Sequence, residues 1–276
     1  MDWLDLSKKT VIVTGAGSGI GRAVAQGFAR VGADVVVADV DEKAGAKTVD
    51  ALEAGRAKGE TGVQTFVRVD VSEKPSVDAM VDEALAIHGR LDVLVNNAGI
   101  NIPRLLVDPA GKEELTEEIF DRTVSINQKG AFLCAQASAR AMIGAKTGGV
   151  IVNMASESGL EGSEGQSAYA GTKAALYSLT RSWAKELGKH NIRVVGVAPG
   201  ILEATALRTQ AYEEALAYTR GITVEKLRKG YETQSIPVGR VGRLDEVGDV
   251  VVYLASKRSS YVHGTVVNIS GGKSRA

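Results

Sequence analysis

Three residues within one short stretch carry groups suited to proton chemistry: Ser156, Tyr169 and Lys173. Tyr169 and Lys173 are four apart. On a helix that is one turn, about 6 Å of rise, and it puts both side chains on one face. A phenol is a poor base near neutrality because its reference pKa is about 10. A cation held within a few ångströms favours the phenolate and lowers that value by roughly one to three units. Lys173 is spaced to supply the charge. Ser156 is spaced to donate a hydrogen bond to an oxygen that gains or loses a proton. The same pair also describes an ordinary exposed helix face, so the elements around it decide.

Val150 to Met154 is a short apolar run bounded by Gly148-Gly149 and by small polar residues, the pattern of a buried strand. Ala174, Ala175, Leu176, Leu179, Trp183 and Leu187 recur at helical spacing. Strand, polar Gly-rich loop and helix would therefore hold Ser156, Tyr169 and Lys173 in that order.

Upstream, a β-branched run from Thr10 to Val13 leads into TGAGSGIG at 14–21 and then an Ala-rich helical pattern to Arg30. That order suits a phosphate cradle. Gly15 permits a tight turn, Gly19 lets backbone N–H groups approach a pyrophosphate, and Gly21 lets helix and strand pack closely, with Ser18 and Ile20 between them. A second strand, Asp34 to Ala38, ends at Asp39. A carboxylate about twenty residues after such a loop accepts from both ribose hydroxyls of adenosine and repels a 2′-phosphate, which favours NAD over NADP. The competing reading of Asp39 is a helix cap for the segment from Asp41.

Residues 41–58 read as a solvated helix and Gln64 to Val69 as a third strand, with Asp70 and Val71 placed to meet an adenine edge. Pro75 to His88 is helical, capped by Ser72. Leu91 to Val95 is a fourth strand ending in NNAG at 96–99. There Asn97 and Gly99 either contact a cofactor or stabilise the sheet. Four alternations of strand and helix imply a parallel, doubly wound sheet. A polar loop at 101–115 and a long helix at 117–142 follow. Asn127 sits mid-helix, where asparagine is unfavourable without a task. Ile192 to Ala198 is a strand ending at Pro199-Gly200. About thirty residues of amphipathic helical pieces come next, a candidate lid over 201–235. A helix at 244–254 and a strand at 265–269 close the pattern. No linker or repeat interrupts it, so 1–276 reads as one domain.

The chain has 276 residues, is 44% hydrophobic and carries formal net charge +0. It lacks the basic stripe of a nucleic-acid binder. No apolar run reaches the roughly 18 residues of a membrane span. The N-terminus mixes charges and has no signal-peptide core. Cys134 is the single cysteine, in an apolar context. It excludes an intrachain disulfide and favours a cytoplasmic location. The three histidines share no ligand spacing, so no metal is expected.

With TGAGSGIG, Asp39, NNAG, Asn127, Ser156, Tyr169, Lys173 and Pro199-Gly200 in this order, the chain resembles the short-chain dehydrogenase/reductases over essentially its whole length. The resemblance implies a single-domain α/β fold of Rossmann type with helices on both faces of the sheet. It implies NAD, bound in part by Pro199 and Leu202. It also implies catalysis by Asn127, Ser156, Tyr169 and Lys173. Tyr169 would be the acid/base, and Ser156 would orient the reacting oxygen. Lys173 would lower the tyrosine pKa and bind the nicotinamide ribose, and Asn127 would hold a relay water. Homotetramers are common in the family, and the apolar faces of helices 117–142 and 168–187 would suit one. Two positions depart from the pattern. Leu202 replaces a usual isoleucine or valine, and a threonine falls at 205 rather than 204.

Around these residues lie Glu157, Ser158, Glu161, Ser163, Glu164 and Gln166, with Asn101 and Arg104 earlier. Carboxylates and amides suit a polyhydroxylated substrate better than a steroid or fatty acyl chain. Segments such as NIPRLLVD, INQKG and YEEALAYTRGITVEKLRKGY resemble the branch of the family acting on hexitol phosphates. That implies NAD-linked exchange of a polyol or its phosphate with a ketose or its phosphate, D-sorbitol 6-phosphate with D-fructose 6-phosphate being nearest. Arg104, then Arg208, are the candidate phosphate ligands, beside Ser156, Glu157 and Tyr169. The alternatives are a free polyol or 3-oxoacyl ketone substrate, and a nucleotide-binding regulatory protein without turnover.

Overall fold

The computed structural model describes residues 3–55, 62–233 and 236–274. Seven strands form one sheet in the order β3-β2-β1-β4-β5-β6-β7. They are β1 (Thr10–Thr14), β2 (Asp34–Asp39), β3 (Gln64–Arg68), β4 (Val93–Asn96), β5 (Gly149–Met154), β6 (Ile192–Pro199) and β7 (Val266–Ile269). Every pairing is parallel. The order reverses between β1 and β4, which opens a crevice at the carboxyl ends of those two strands.

Residues along β1 alternate between two cores. Val11 and Val13 pack with α1 (Gly19–Arg30), through Val24 and Phe28, and with α10 (Leu244–Ala255), through Val247 and Val251. Ile12 packs on the other side with α3 (Lys74–His88), through Val77 and Met80, and with Leu133 and Met142 of α5 (Gly130–Ala145). A strand buried on both faces needs apolar residues at successive positions, which is why the strands read as continuous Val/Ile runs. Cys134 lies in the second core, and burial pushes its thiol up to about 12.

Most predicted elements form within a residue or two of their expected ends. Four details differ. The long helix at 117–142 is three pieces: α4 (Glu117–Val124), a π-helical turn (Ser125–Lys129) and α5. The segment predicted at 41–58 is α2 (Glu42–Ala54), and 56–58 lie outside the described residues. Ser72 does not cap α3. Glu73 occupies that position, and the Ser72 hydroxyl donates to Asp70 at 2.6 Å. Residues 234–235 of the proposed lid lie outside the described residues. The rest of it contains α8 (Gln210–Thr219) and α9 (Val224–Thr233), packed on each other through Leu216, Ala217 and Leu227. The fold is completed by α6 (Ser158–Glu161) and α7 (Ser167–Leu187). Among the described residues no helix is long and apolar enough to cross a membrane.

Candidate active site

A cleft of about 850 Å³ runs over the carboxyl ends of the strands, from the glycine-rich loop to the lid. Its first end is built for an anion and a ribose. Gly15 and Gly19 adopt φ of +65° and +53°, conformations that side chains rarely tolerate. A Cβ on Gly21 would lie 2.2 Å from the Gly15 carbonyl oxygen and 2.5 Å from Asn97 Nδ2, so α1 can approach the loop only through a glycine. Ser18 makes no side-chain capping bond, and the first turn of α1 has no acidic residue. The helix end therefore keeps uncompensated N–H groups and a positive dipole end, the condition for binding a pyrophosphate.

Asp39 ends β2. Its carboxylate accepts from Gly17 N–H at 2.7 Å and Asp41 N–H at 3.0 Å. The cap of α2 is Asp41, which accepts from Ala44 N–H, so Asp39 is not the helix cap. Asp70 accepts from both the N–H and the hydroxyl of Ser72, and that hydroxyl holds its carboxyl below the usual value. Asn97 spans the crevice, donating to the carbonyls of Thr14 at 2.8 Å and Gly15 at 3.1 Å. It thus staples β4 to the glycine loop. These residues fit a dinucleotide carrying an unphosphorylated adenosine ribose.

In the middle of the cleft, β5 and α7 bring Ser156, Tyr169 and Lys173 together. The Tyr177 hydroxyl donates to the Ser156 carbonyl at 3.1 Å and fixes the turn after β5. Ser156 Oγ accepts from the Ser158 hydroxyl at 3.0 Å, which leaves its own hydrogen free to donate. Burial raises the Tyr169 phenol above its ordinary value. A hydrogen bond from Ser156 opposes this, and the Glu157 charge adds to it. Lys173 is 5% exposed. Its ammonium donates to the Met154 carbonyl at 2.6 Å, and burial holds it down at about 8. Burial, rather than the Lys173 charge, sets the direction of the tyrosine's shift in this structure.

Asn127 lies beside the cleft wall rather than in it. It is 1% exposed and sits in the π-helical turn. Its Oδ1 accepts from Ile100 N–H at 2.8 Å, and its Nδ2 donates to the Ile100 carbonyl at 2.9 Å and to Thr172 Oγ1 at 3.2 Å. The side chain is engaged on both sides by these bonds. A relay there would fall to main-chain carbonyls of the widened turn.

The far end of the cleft is the lid. Arg208 lies over the Tyr231 ring, 4.0 Å from its centroid, and donates to the Leu202 carbonyl at 3.0 Å. Arg220 donates to Ser163 Oγ at 3.2 Å. Ser163 in turn donates to Gln166, and Gln166 to the Tyr212 hydroxyl at 2.8 Å. Arg104 does not reach this cleft. It pairs with Glu113 at 2.7 Å within its own loop, and its backbone N–H bonds to Gly165, so its reading as the first phosphate ligand is corrected.

The other predicted residues, Gly15, Ser18, Gly19, Ile20, Gly21, Asp39, Asp70, Val71, Asn97, Gly99, Glu157, Pro199, Leu202 and Arg208 among them, line the cleft. Thr205 also does, beside Gly19, despite its shifted position in sequence. Sequence reasoning missed Arg220, Tyr212, Tyr231 and Lys273. Lys273, near the C-terminus, pairs with Glu157 at 2.9 Å across the floor, while Glu157 Oε2 is buried without a partner. No motif marks these residues, because their neighbours are distant in the chain.

Fold and site together define a nicotinamide-dependent oxidoreductase of the short-chain type. A family model described as enoyl-(acyl carrier protein) reductase matches residues 15–274. The chain belongs to this family, within the short-chain dehydrogenase/reductases, and is an NAD-dependent dehydrogenase. It is 52% identical to sorbitol-6-phosphate 2-dehydrogenase of Klebsiella pneumoniae, over 99% of this chain and 98% of that one. A short-chain type dehydrogenase/reductase from Mycobacterium marinum superposes with a TM-score of 0.84 at 35% identity, covering 100% and 99% of the two chains. The 3-ketoacyl-(acyl-carrier-protein) reductase from Brucella melitensis, solved with NADH, gives 0.81 at 29% identity, covering 98% and 100%.

Proposed function

We propose that this chain interconverts D-sorbitol 6-phosphate and D-fructose 6-phosphate with NAD. The observation that carries this reading is the composition of the cleft beyond Tyr169. Serines, a glutamine, tyrosines and two arginines stand there beside Leu207 and Leu216, where a fatty acyl chain would need continuous apolar walls. The likeness to the Klebsiella enzyme supports the same substrate.

The bound dinucleotide would supply a hydride acceptor for the carbinol carbon. In the oxidative direction Tyr169, having given its own proton to solvent, takes the hydroxyl proton of the substrate as the phenolate, and in the reductive direction the phenol gives its proton to the carbonyl oxygen. Ser156, its oxygen already satisfied by Ser158, donates to that same oxygen. Lys173 keeps a positive charge beside the phenol, and Asn127 anchors Ile100 and α7 so that this geometry holds. Asp39 selects the unphosphorylated adenosine ribose. Residues 201–233 form the lid that excludes water over the substrate. The remaining organisation we propose is a homotetramer in the cytoplasm.

The test is a screen of polyols, their phosphates and acyl ketones with NAD and NADP, with the product identified. Turnover with D-sorbitol equal to that with D-sorbitol 6-phosphate, or reduction of a 3-oxoacyl thioester as the fastest reaction, would sink the reading.

A further inference from the structure

The lid carries two cations that the mechanism above does not use. Arg208 precedes α8 and Arg220, twelve positions on, follows it, so a cation flanks each end of the helix and both line one cleft. Neither arginine pairs with a carboxylate among the described residues. Arg208 is held by a carbonyl and a ring face, and Arg220 by a serine hydroxyl. Other basic residues in contact with acids are spoken for: Arg228 pairs with Glu213, Arg104 with Glu113 and Lys273 with Glu157.

Arg208 lies 4.0 Å from the Tyr231 ring centroid, and Arg208, Arg220 and Tyr231 line the same end of the cleft. The Tyr212 hydroxyl accepts from Gln166, which accepts from Ser163, the residue that holds Arg220. Tyrosines 169, 212 and 231 line one cleft together with both arginines. Two like charges facing one polar cavity repel each other unless an anion sits between them. A guanidinium fork matches phosphate oxygens in geometry as well as charge.

We propose that Arg208 and Arg220 form the phosphate-binding subsite, with Tyr231 as its floor and Ser163 holding Arg220 in place. This rests on the reading of the substrate as a hexitol phosphate. Phosphate recognition then belongs to the lid rather than to the loop at 101–115. The same contact that selects the substrate also holds the lid over it.

The experiment compares kcat/KM for D-sorbitol 6-phosphate and D-sorbitol in the wild type, Arg220→Gln, Arg220→Lys, Arg208→Gln and Arg104→Gln. The expected result is a fall in the phosphate-to-free ratio of about tenfold or more in Arg220→Gln and Arg208→Gln, since each removes a charge-assisted contact. Arg220→Lys should recover part of it, because the charge remains and the fork is lost. Arg104→Gln should keep the wild-type ratio. The two arginine variants are independent, so one that fails to fold leaves the other decisive. A ratio that falls less than about fivefold in every folded glutamine variant of 208 and 220, or that falls in Arg104→Gln instead, overturns the subsite. A wild type without preference for the phosphate overturns the substrate reading itself.

Discussion

The Lys173 ammonium stands 5.6 Å from the centroid of the Tyr169 ring while donating to the Met154 carbonyl at 2.6 Å. The lysine is thus tied to the end of β5 as well as to its own helix, and its charge is fixed beside the phenol by the strand. Burial acts on both groups in the directions expected for a dry site, raising the tyrosine and lowering the lysine.

Tyr169→Phe should remove the proton-transfer group and leave the glycine loop intact. We expect turnover to drop by about 10²–10⁴-fold with NADH binding, followed by fluorescence, changed little. Full-rate hydride transfer in that variant would contradict the assigned role.

Lys173 also makes a prediction about stability against pH. Its folded value is about 8 against an ordinary 10.5, so across that window the unfolded chain binds more protons at this residue than the folded one. Stability due to Lys173 therefore rises with pH between these values. Compared with Lys173→Met by urea denaturation, the wild type should gain on the order of 2–3 kcal/mol between pH 8 and 10. A constant difference across that range would be incompatible with the burial described.

Asp39→Asn keeps the shape of the side chain and loses its charge. Hydrogen bonds to a charged group are worth about 1.5–3 kcal/mol. The ratio of kcat/KM for NAD over NADP should fall by roughly 10–100-fold, measured with one polyol substrate.

Gly21→Ala places a Cβ 2.2 Å from a main-chain oxygen. Neither partner is the end of a flexible side chain free to move, since Asn97 is bonded on the same spot. The expected loss is about 1–3 kcal/mol of stability together with weaker NAD binding, read by thermal melts with and without NAD. A melt that still shifts normally with NAD would refute the close-packing role.

Asn127→Ala should leave the Ile100 N–H and carbonyl without their partners. At about 1–3 kcal/mol for a buried unsatisfied group, a clear fall in denaturation midpoint is expected. Asn127→Asp would keep the acceptor for Ile100 N–H and lose the donor to its carbonyl, and should be intermediate or worse. An unchanged midpoint in the alanine variant would show that this anchor carries nothing.

Much of this molecule is legible in its sequence. The Val/Ile runs at Thr10–Thr14, Asp34–Asp39 and Gly149–Met154 are local signals, and so are the glycines at 15, 19 and 21 and the four-residue spacing of Tyr169 and Lys173. Each depends on residues near in sequence, where periodicity and backbone sterics act. The π-helical turn at Ser125–Lys129 was not legible, because it answers to Ile100 and Thr172 across the site.

The arginines show the same division. In the sequence Arg104 ranks ahead of Arg208 as a phosphate ligand, and nothing near Arg220 marks it at all. Only the folded chain sets Glu113 against Arg104 and brings Arg208 and Arg220 to one cleft. Local sequence determined the strand–loop–helix units, the glycine cradle and the reacting side chains, because backbone propensity and side-chain period are written over a few residues. Tertiary structure decided which charges are neutralised, which point into the cleft and how burial shifts Tyr169 and Lys173. Desolvation and pairing depend on neighbours outside the local window, from Glu113 across one loop to Lys273 and Glu157, which meet from the two halves of the chain.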